Sequence, residues 1–347
     1  MKIIQPNDPI IFYHNHPKAL LSYAGEEGLN ISELRDLTGL DEKLEKDFSS
    51  KISYNQYKSL IETCIDKLNN PALGLHFGRR LMFSGHGSVG LGSMACNTVG
   101  EALDIIKTYK KLISPITVME VIRNPNAAHI TCTPAFESGD VQRFFVEVLF
   151  STLYHCFLQA TKKTDMVCTF EFSYAAPEYE DEYYKLLNDN VRFNTHRHQI
   201  TCHPSLLDTP LTSSNPAIIH EIKSRSSDLM QEFGDNEGIL TLISKYIRQR
   251  ETGYPNIDDV ANHFHTSKST LKRRLKELNV TYTELLKDAR LDRACNYLES
   301  GELTVEDITQ RLQFSEAAAF RRAFKQWTGQ SPSSYRESMK IHQQDIA

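Results

Sequence analysis

Two stretches toward the carboxyl end of the chain share one pattern. Residues 256–276 read NIDDVANHFHTSKSTLKRRLK, and residues 304–325 read TVEDITQRLQFSEAAAFRRAFK. In each, apolar residues at three- and four-residue steps predict two short helices with a turn between them. Ser267 and Ser315 stand where each second helix is expected to begin, because serine is a preferred N-cap residue. The pattern predicts two helix-turn-helix units, 48 residues apart when these serines are aligned.

The second helix of each pair is basic. Residues 267–276 contain five cations and no acid, and residues 320–325 add three cations. The acids lie near the amino ends of the first helices, where the helix dipole favours them. The positive charge therefore falls on helices that can enter the major groove of DNA, where arginine and lysine bond guanine edges or phosphates. A single basic helix is more often a solvated face, but two in tandem favour double-stranded DNA as the partner.

A longer helix predicted between the two units sets their spacing. Residues 282–299 form an 18-residue helical pattern, about 27 Å long at 1.5 Å per residue. One turn of DNA measures about 34 Å. Two basic helices held by this connecting helix could therefore enter successive major grooves on one face of a duplex.

Three strings in this region match a known pattern: VANHFHTSKSTLKRRLKEL (260–278), ARLDRACNYL (289–298) and FSEAAAFRRAFKQWTGQSPSSYR (314–336). They resemble the DNA-binding domain of the AraC/XylS family of bacterial transcription regulators. Two departures leave the geometry of the second turn open: Gln313 stands where that family usually has a turn glycine, and Thr309 where it has alanine.

The resemblance implies which side chains face DNA. The first reading helix would present Ser269, Lys272 and Arg273 to the bases. The second would present Ala318, Arg321 and Arg322. With neighbours added that could reach phosphates or flank the bases, the predicted DNA-binding set is Lys268, Ser269, Lys272, Arg273, Lys276, Glu316, Ala318, Arg321, Arg322 and Lys325.

The amino-terminal part has a mixed pattern. Helical stripes lie at residues 54–68 and 102–113. Runs rich in β-forming residues lie at Ile116–Ile122, His129–Cys132 and Val167–Ser173. One strongly apolar helix is predicted at Gln142–Leu158. From Ile239 onward the period is helical throughout, with Gly234–Gly238 predicted as a loop before it. The predicted fold class is an α+β domain followed by an all-α domain of about seven helices containing two helix-turn-helix motifs.

Predicted domain limits follow from these patterns: 1–210 for an effector-binding and dimerisation domain, 211–238 for a linker with a helix, and 239–340 for the DNA-binding domain. The first assignment rests on a weaker resemblance to regulators such as those of ornithine use, carried by GLHFGRR (74–80), GSVGLGSM (87–94) and TVGEAL (98–103). It implies a ligand-responsive activator with an amino-acid-like or fatty-acid-like small-molecule effector, RNA polymerase as a partner, and a homodimer. No effector contact is assigned, because the aromatic residues at 136–157 and 170–174 could line a cavity or simply fill the core.

The amino-acid composition is typical of a globular protein and not of a membrane or secreted protein. The chain of 347 residues carries 39 Lys+Arg and 44 Asp+Glu, a formal net charge of −5, an ordinary balance for a globular protein of two or three domains. The acidic excess lies in residues 1–235, with a net charge of −7, against +2 in residues 236–347. Seven widely spaced cysteines without a C-x-x-C motif predict reduced thiols in the cytoplasm. The opening MKIIQPNDPI is not a signal-peptide pattern, and we expect no association with a membrane.

Other motifs argue against enzymatic chemistry. Gly85-x-Gly87-x-x-Gly90 fits the dinucleotide fingerprint but has no predicted strand before it, and its helix is expected only near Val99. A flexible loop over a pocket is the preferred interpretation. Three His-x-His pairs, at 14/16, 196/198 and 263/265, have no cysteine or carboxylate companion at ligand spacing. We therefore predict no metal, no cofactor and no enzyme.

Two alternatives stay open at this level. The first is an effector-independent repressor or architectural protein that binds duplexes with little sequence preference. The second is an enzyme domain fused to a DNA reader, although residues 1–205 contain no recognisable catalytic pattern.

The replacement Arg273→Ala tests the assignment of the first reading helix. We expect a loss of ~1–3 kcal/mol in operator binding and relaxed specificity at the base pair that Arg273 contacts. Binding assays on operator and random duplex measure both effects. Unchanged affinity for both duplexes would remove Arg273 from the predicted set.

Overall fold

A computed structural model describes residues 6–134, 141–233, 239–250, 253–277 and 280–337. The chain divides near residue 236 into two compact units, and each is described by itself. The predicted loop Gly234–Gly238, part of the aromatic run at 136–157 and residues 338–340 lie outside the described residues. The domain limits 1–210, 211–238 and 239–340 stay predictions.

The first unit contains a five-stranded sheet and a two-stranded sheet. In chain order the strands are β1 (Pro9–Phe12), β2 (Lys51–Ser53), β3 (Thr117–Arg123), β4 (Ala128–Pro134), β5 (Cys168–Glu171), β6 (Val191–Arg192) and β7 (His198–Cys202). The larger sheet has the order β3-β4-β7-β5-β6, and only its β5–β6 pair is parallel. β1 pairs with β2 in the smaller, antiparallel sheet.

The three predicted strand regions are confirmed as β3, β4 and β5. The sequence reading missed β7, although this strand pairs with both β4 and β5. Four of the five residues of His198–Cys202 are buried, so the strand shows no alternation between an apolar and a polar face. Two of its buried residues, His198 and Gln199, are polar, so the segment also lacks the apolar run that predicts a buried strand.

The helices of the first unit are α1 (His16–Glu26), α2 (Ile31–Thr38), α3 (Tyr54–Lys67), α4 (Leu73–Arg80), α5 (Gly87–Met94), α6 (Val99–Thr108), α7 (Lys110–Ile113), α8 (Gln142–Thr161), α9 (Glu180–Leu186) and α10 (Pro216–Phe233). Short 3-10 turns lie at Glu42–Glu45, Phe83–His86 and Pro204–Asp208. The stripe predicted as one helix over 102–113 is divided, because the chain turns at Tyr109 between α6 and α7. The Tyr109 hydroxyl lies 3.0 Å from Ser227 Oγ of α10.

The glycine-rich segment predicted as a flexible loop is helical, so that prediction is wrong. A 3-10 turn over Phe83–His86 leads directly into α5, well before Val99. The element before the turn is a helix, α4, rather than the strand that a dinucleotide site requires. Close packing explains why position 90 is glycine: a Cβ atom there would lie 1.8 Å from the Phe83 carbonyl oxygen.

α8 is the central helix of the first unit. Among the described residues it is the one helix long and apolar enough to cross a membrane, but 72% of that segment is buried inside the protein. The predicted helix surrounded by protein is therefore confirmed. α4 packs closely against it: Ser151 Oγ donates a hydrogen bond to the Leu75 carbonyl oxygen (2.8 Å), and Thr152 Oγ1 donates to the Gly78 carbonyl oxygen (3.0 Å).

The described residues of the second unit form helices joined by short turns and no strand, as predicted. Its helices are α11 (Ile239–Gln249), α12 (Ile257–His263), α13 (Lys268–Glu277), α14 (Tyr282–Ser300), α15 (Val305–Arg311), α16 (Ala317–Thr328) and a last helix, α17, at 332–337. A hydrophobic core joins α14, α15 and α16 to Tyr335. The predicted fold class is thus confirmed for both parts of the chain.

The close approach of α4 to α8 predicts that Gly78→Ala destabilises the first unit. A Cβ atom at Gly78 would lie 2.8 Å from Ser151 Cβ and 2.9 Å from the Val148 carbonyl oxygen. We expect the free energy of unfolding to fall by roughly 1–3 kcal/mol, because overpacking outweighs the better helix propensity of alanine. Urea unfolding followed by circular dichroism measures the change.

Gly25→Ala is the matched control. Its Cβ atom would meet the end of the Ile31 side chain, which is flexible and 38% exposed. That side chain can move aside, so this variant should keep or exceed the parent stability. Equal destabilisation by both substitutions would contradict the packing argument.

Candidate nucleic-acid interface

The first helices of the two motifs begin in the same way. The Asn256 side chain accepts hydrogen bonds from the backbone N–H groups of Asp258 and Asp259, and the Asp259 carboxylate accepts one from the Asn256 N–H. Thr304 and Asp307 form the same capping box 48 residues later. Reciprocal caps of this kind satisfy backbone donors that the first turn of a helix leaves unpaired. The 48-residue repeat is therefore confirmed for α12 and α15.

Both turns use a left-handed residue that is not glycine. His265 has φ +49° and Gln313 has φ +57°, also 48 residues apart. Side chains other than glycine rarely adopt this conformation because Cβ crowds the backbone. At Gln313 the side chain helps to hold the turn, since its Oε1 accepts a hydrogen bond from the Tyr254 N–H at 3.2 Å. The second turn thus keeps its left-handed geometry without the glycine that the family pattern led us to expect.

The second helices are offset by 49 residues rather than 48. Ser267 caps α13 as predicted, with Oγ accepting a hydrogen bond from the Thr270 N–H at 3.1 Å. The corresponding prediction for Ser315 is wrong: the N-cap of α16 is Glu316, which makes no side-chain cap bond. One residue has been added between the second turn and its helix, so the cap position moves from Ser315 to Glu316.

At the 49-residue offset the two reading helices match closely. Leu271 and Leu275 of α13 are buried, as are Phe320 and Phe324 of α16. Since these residues are four apart, they lie on one side of each helix, and the opposite side faces outward. All ten members of the predicted DNA-binding set are exposed: Lys268, Ser269, Lys272, Arg273, Lys276, Glu316, Ala318, Arg321, Arg322 and Lys325. Lys272, Arg273 and Lys276 occupy the same helical positions as Arg321, Arg322 and Lys325.

Acidic side chains pair with three of these cations. Lys268 Nζ lies 2.7 Å from Asp258 Oδ2, Arg321 Nη2 lies 3.1 Å from Glu306 Oε1, and Arg322 Nη2 lies 3.6 Å from Glu316 Oε1. All six side chains are about half exposed or more, so each pair contributes little stability. Their effect is to orient the cations and to place negative charge beside the basic surface.

The connecting helix α14 is capped at both ends. Thr281 and Glu284 form a capping box at its start, and Gly301 ends it with φ +72°. Its 19 residues span about 28 Å at 1.5 Å per residue. Near its end Glu299 Oε1 accepts a hydrogen bond from the buried Tyr335 hydroxyl at 2.7 Å. Tyr335 lies within the matched string 314–336, but no sequence pattern links it to Glu299, which is 36 residues away.

A second set of contacts joins α14 to the segment before the first motif and to the turn of the second motif. The Arg290 guanidinium stacks on the Tyr254 ring (4.8 Å to the centroid) and on the Phe314 ring (5.5 Å). Tyr254 lies three residues before the start of α12, and Phe314 follows the turn residue Gln313. We call Tyr254, Arg290, Gln313 and Phe314 the junction. Sequence reasoning missed it, because a tyrosine, an arginine and a phenylalanine far apart in the chain carry no shared pattern.

The third His-x-His pair, His263 and His265, lies at the first helix-turn-helix. The His263 ring stacks on Tyr246 at 4.0 Å between centroids, and His265 is the left-handed turn residue. Among the described residues, no three histidine, cysteine or carboxylate side chains are grouped as metal ligands. The seven cysteines are buried and form no disulfide bond with one another.

Comparison with known proteins gave matches over both parts of the chain. Residues 28–211, more than half of the chain, match the family described as "Arabinose-binding domain of AraC transcription regulator, N-term". Residues 260–338 match a family described as "Helix-turn-helix domain". The chain belongs to the AraC family of transcription regulators. As an AraC-family protein with this domain, it is a DNA-binding transcriptional regulator.

Individual relatives of this AraC-family regulator span different parts of it. The ornithine utilization regulator of Pseudomonas aeruginosa is 27% identical over 325 residues, covering 93% of this chain and 95% of that protein. The urease operon transcriptional activator of Escherichia coli is 35% identical over 94 residues, covering 27% of this chain and 32% of that protein. The crystal structure of transcriptional regulator CdpR from Pseudomonas aeruginosa aligns at 22% identity and TM-score 0.45, covering 92% of this chain and 97% of that one. All are named as regulators or activators.

The ion pair between Lys268 and Asp258 predicts that Asp258→Asn strengthens DNA binding. The substitution removes a negative charge beside the basic surface and leaves Lys268 unpaired. We expect a twofold to fivefold lower Kd for a short random-sequence duplex at physiological salt, since an exposed pair is worth about 0.2–1 kcal/mol. Fluorescence anisotropy with a labelled duplex measures this.

The control is Glu302→Gln, which neutralises an exposed acid in the segment between α14 and α15. It changes the net charge by the same amount outside both motifs. If the two variants gain equally, the effect comes from net charge and not from the Asp258 pair.

Proposed function

We propose that this regulator is a ligand-responsive transcriptional activator that inserts α13 and α16 into successive major grooves of its operator. The observation that carries the proposal is the match between the two helices: at an offset of 49 residues both bury two apolar side chains and expose cations at the same three positions. A repeated basic helix of this geometry is suited to a repeated feature of the duplex, and the major groove admits an α-helix.

Within each helix we assign two kinds of contact. Ser269, Lys272 and Arg273 of α13 read bases, as do Ala318, Arg321 and Arg322 of α16. The small Ala318 side chain lets the backbone approach a base pair closely. Lys268, Lys276 and Lys325 bind phosphates, and Glu316 orients Arg322 through their ion pair. Phosphate contacts supply salt-dependent affinity, whereas base contacts supply sequence choice.

The regulatory part of the proposal concerns the first unit. Its family match is named for arabinose binding in AraC, which supports a small-molecule effector here. The E. coli relative is named an activator, which supports activation and, with it, a contact to RNA polymerase in the cytoplasm. We further propose a homodimer. An effector acts on such a protein only by binding one arrangement of it more tightly than another.

The spacing of the two half-sites provides the decisive test. An operator is first selected from a random pool with the full-length protein, and the two protected major-groove segments are mapped by footprinting. We then expect that inserting half a helical turn of DNA (about five base pairs) between them lowers affinity at least a hundredfold. The insertion moves the second groove to the opposite face, where α16 cannot follow while α13 stays bound.

Two further duplexes complete this experiment. Scrambling one half-site without changing the spacing should cost the same affinity as the insertion, because each leaves a single motif engaged. If the inserted operator binds as tightly as the parent, the two helices do not read adjacent grooves. Equal affinity for operator and random duplex would favour an architectural protein.

A further inference from the structure

The first unit contains a cavity whose polar groups are incompletely paired. Its volume is about 40 Å³. Roughly 10–15 Å³ holds one water molecule, so the cavity has room for a small organic group. Most of the wall is apolar, with Ile106, Phe145 and Leu149 among its residues, and the polar side chains include His16, Tyr57, His86 and Lys110.

Lys110 places a buried amino group in this wall. The residue is 7% exposed, and its Nζ donates a hydrogen bond to the Ser114 carbonyl oxygen at 2.9 Å. Within the described residues no carboxylate forms an ion pair with it. Burial lowers the pKa of the Lys110 amine to about 8, so the group is still mostly protonated at pH 7. A buried ammonium without a counter-ion is unfavourable, and a bound anion would relieve it.

Tyr57 supplies a second unsatisfied group. It is 1% exposed, and its hydroxyl has no hydrogen-bond partner among the described residues. Buried hydroxyl groups almost always have a partner, because desolvation without a hydrogen bond costs free energy. The Tyr57 hydroxyl can donate to an acceptor in the cavity, so it favours the same kind of ligand as Lys110.

A histidine pair completes the polar part of the wall. His16 Nε2 and His86 Nδ1 lie 2.8 Å apart. Burial, followed by the nearby Lys110 ammonium, lowers the pKa of His86 to about 3, so the pair is neutral and adds no counter-charge for Lys110. Gly90, from the glycine-rich motif, lets α5 pack against the turn that carries His86. The motif thus shapes the cavity wall.

We propose that this cavity binds the carboxylate of a small effector with an apolar body, with the Lys110 ammonium as counter-ion and the Tyr57 hydroxyl as a hydrogen-bond donor. The apolar body packs against residues such as Ile106, Phe145 and Leu149. A cationic ligand is repelled by Lys110, and a neutral one leaves its charge unpaired. This assignment rests on the ligand-responsive part of the proposed function and gives that ligand a chemical class and a site.

Thermal unfolding of the full-length protein tests the charge requirement. The probes are straight-chain carboxylates from acetate to octanoate, with the amide and the primary amine of each chain length. We expect at least one carboxylate to raise Tm in a concentration-dependent manner, while its amide and amine have little effect. Failure of every carboxylate, or an equal effect of the matched amide, overturns the proposal.

Three variants test the residues. Lys110→Met keeps an unbranched side chain one heavy atom shorter, removes the buried charge and should fold with an unchanged or higher Tm. It should weaken carboxylate binding at least tenfold in calorimetry, because the charge-assisted hydrogen bond is lost. Tyr57→Phe removes one oxygen atom and should weaken binding about threefold. Lys107→Met, an exposed lysine on α6, is the matched control and should bind as the parent does. Unchanged binding by Lys110→Met overturns the assignment.

Operator affinity, measured on the same protein with and without the carboxylate, separates this proposal from the function on which it rests. If the carboxylate binds through Lys110 and operator affinity does not change, the site stands and ligand-responsive regulation by it fails. If a different small molecule changes operator affinity and no carboxylate binds, regulation by ligand stands and this site is wrong.

Discussion

The DNA-binding part of this regulator depends on the burial of four side chains. Leu271 and Leu275 fix the rotation of α13 about its axis, and Phe320 and Phe324 do the same for α16. A helix with two buried residues one turn apart has little rotational freedom, because turning it would expose both to water. The orientation of the basic surface is therefore a consequence of hydrophobic packing, and the cations themselves contribute little to holding it.

Local pattern was sufficient for much of the fold. The helical stripes predicted α3, α8 and the helices of the second unit, because each keeps one apolar face or, for α8, is buried nearly all round. The strand β7 was not predicted, because its burial pattern has no period. The N-cap prediction for Ser315 was wrong, because one added residue breaks the 48-residue repeat. The glycine-rich segment was wrongly predicted as a flexible loop, because glycine is favoured both in flexible loops and where helices pack closely.

The site was predictable in part for the same reason. Exposure of the ten proposed DNA-binding residues follows from helical period, since each belongs to a helix with a clear inner face. Their acidic neighbours were visible in the sequence, but the ion pairs of Asp258 and Glu306 depend on how α12 and α15 lie against the reading helices. The cavity could not be found at all, because Tyr57 and Lys110 are 53 positions apart and neither carries a recognisable pattern.

The junction of Tyr254, Arg290, Gln313 and Phe314 has a mechanical consequence. The segment entering the first motif, the long connecting helix and the turn of the second motif all contact one another there. Because both contact Arg290, the segment before α12 and the residue after the second turn are held against the same point on α14. On the proposed mode of binding, a change of target can exchange individual bases, while the distance between the two half-sites stays set by the length of α14 and by the junction.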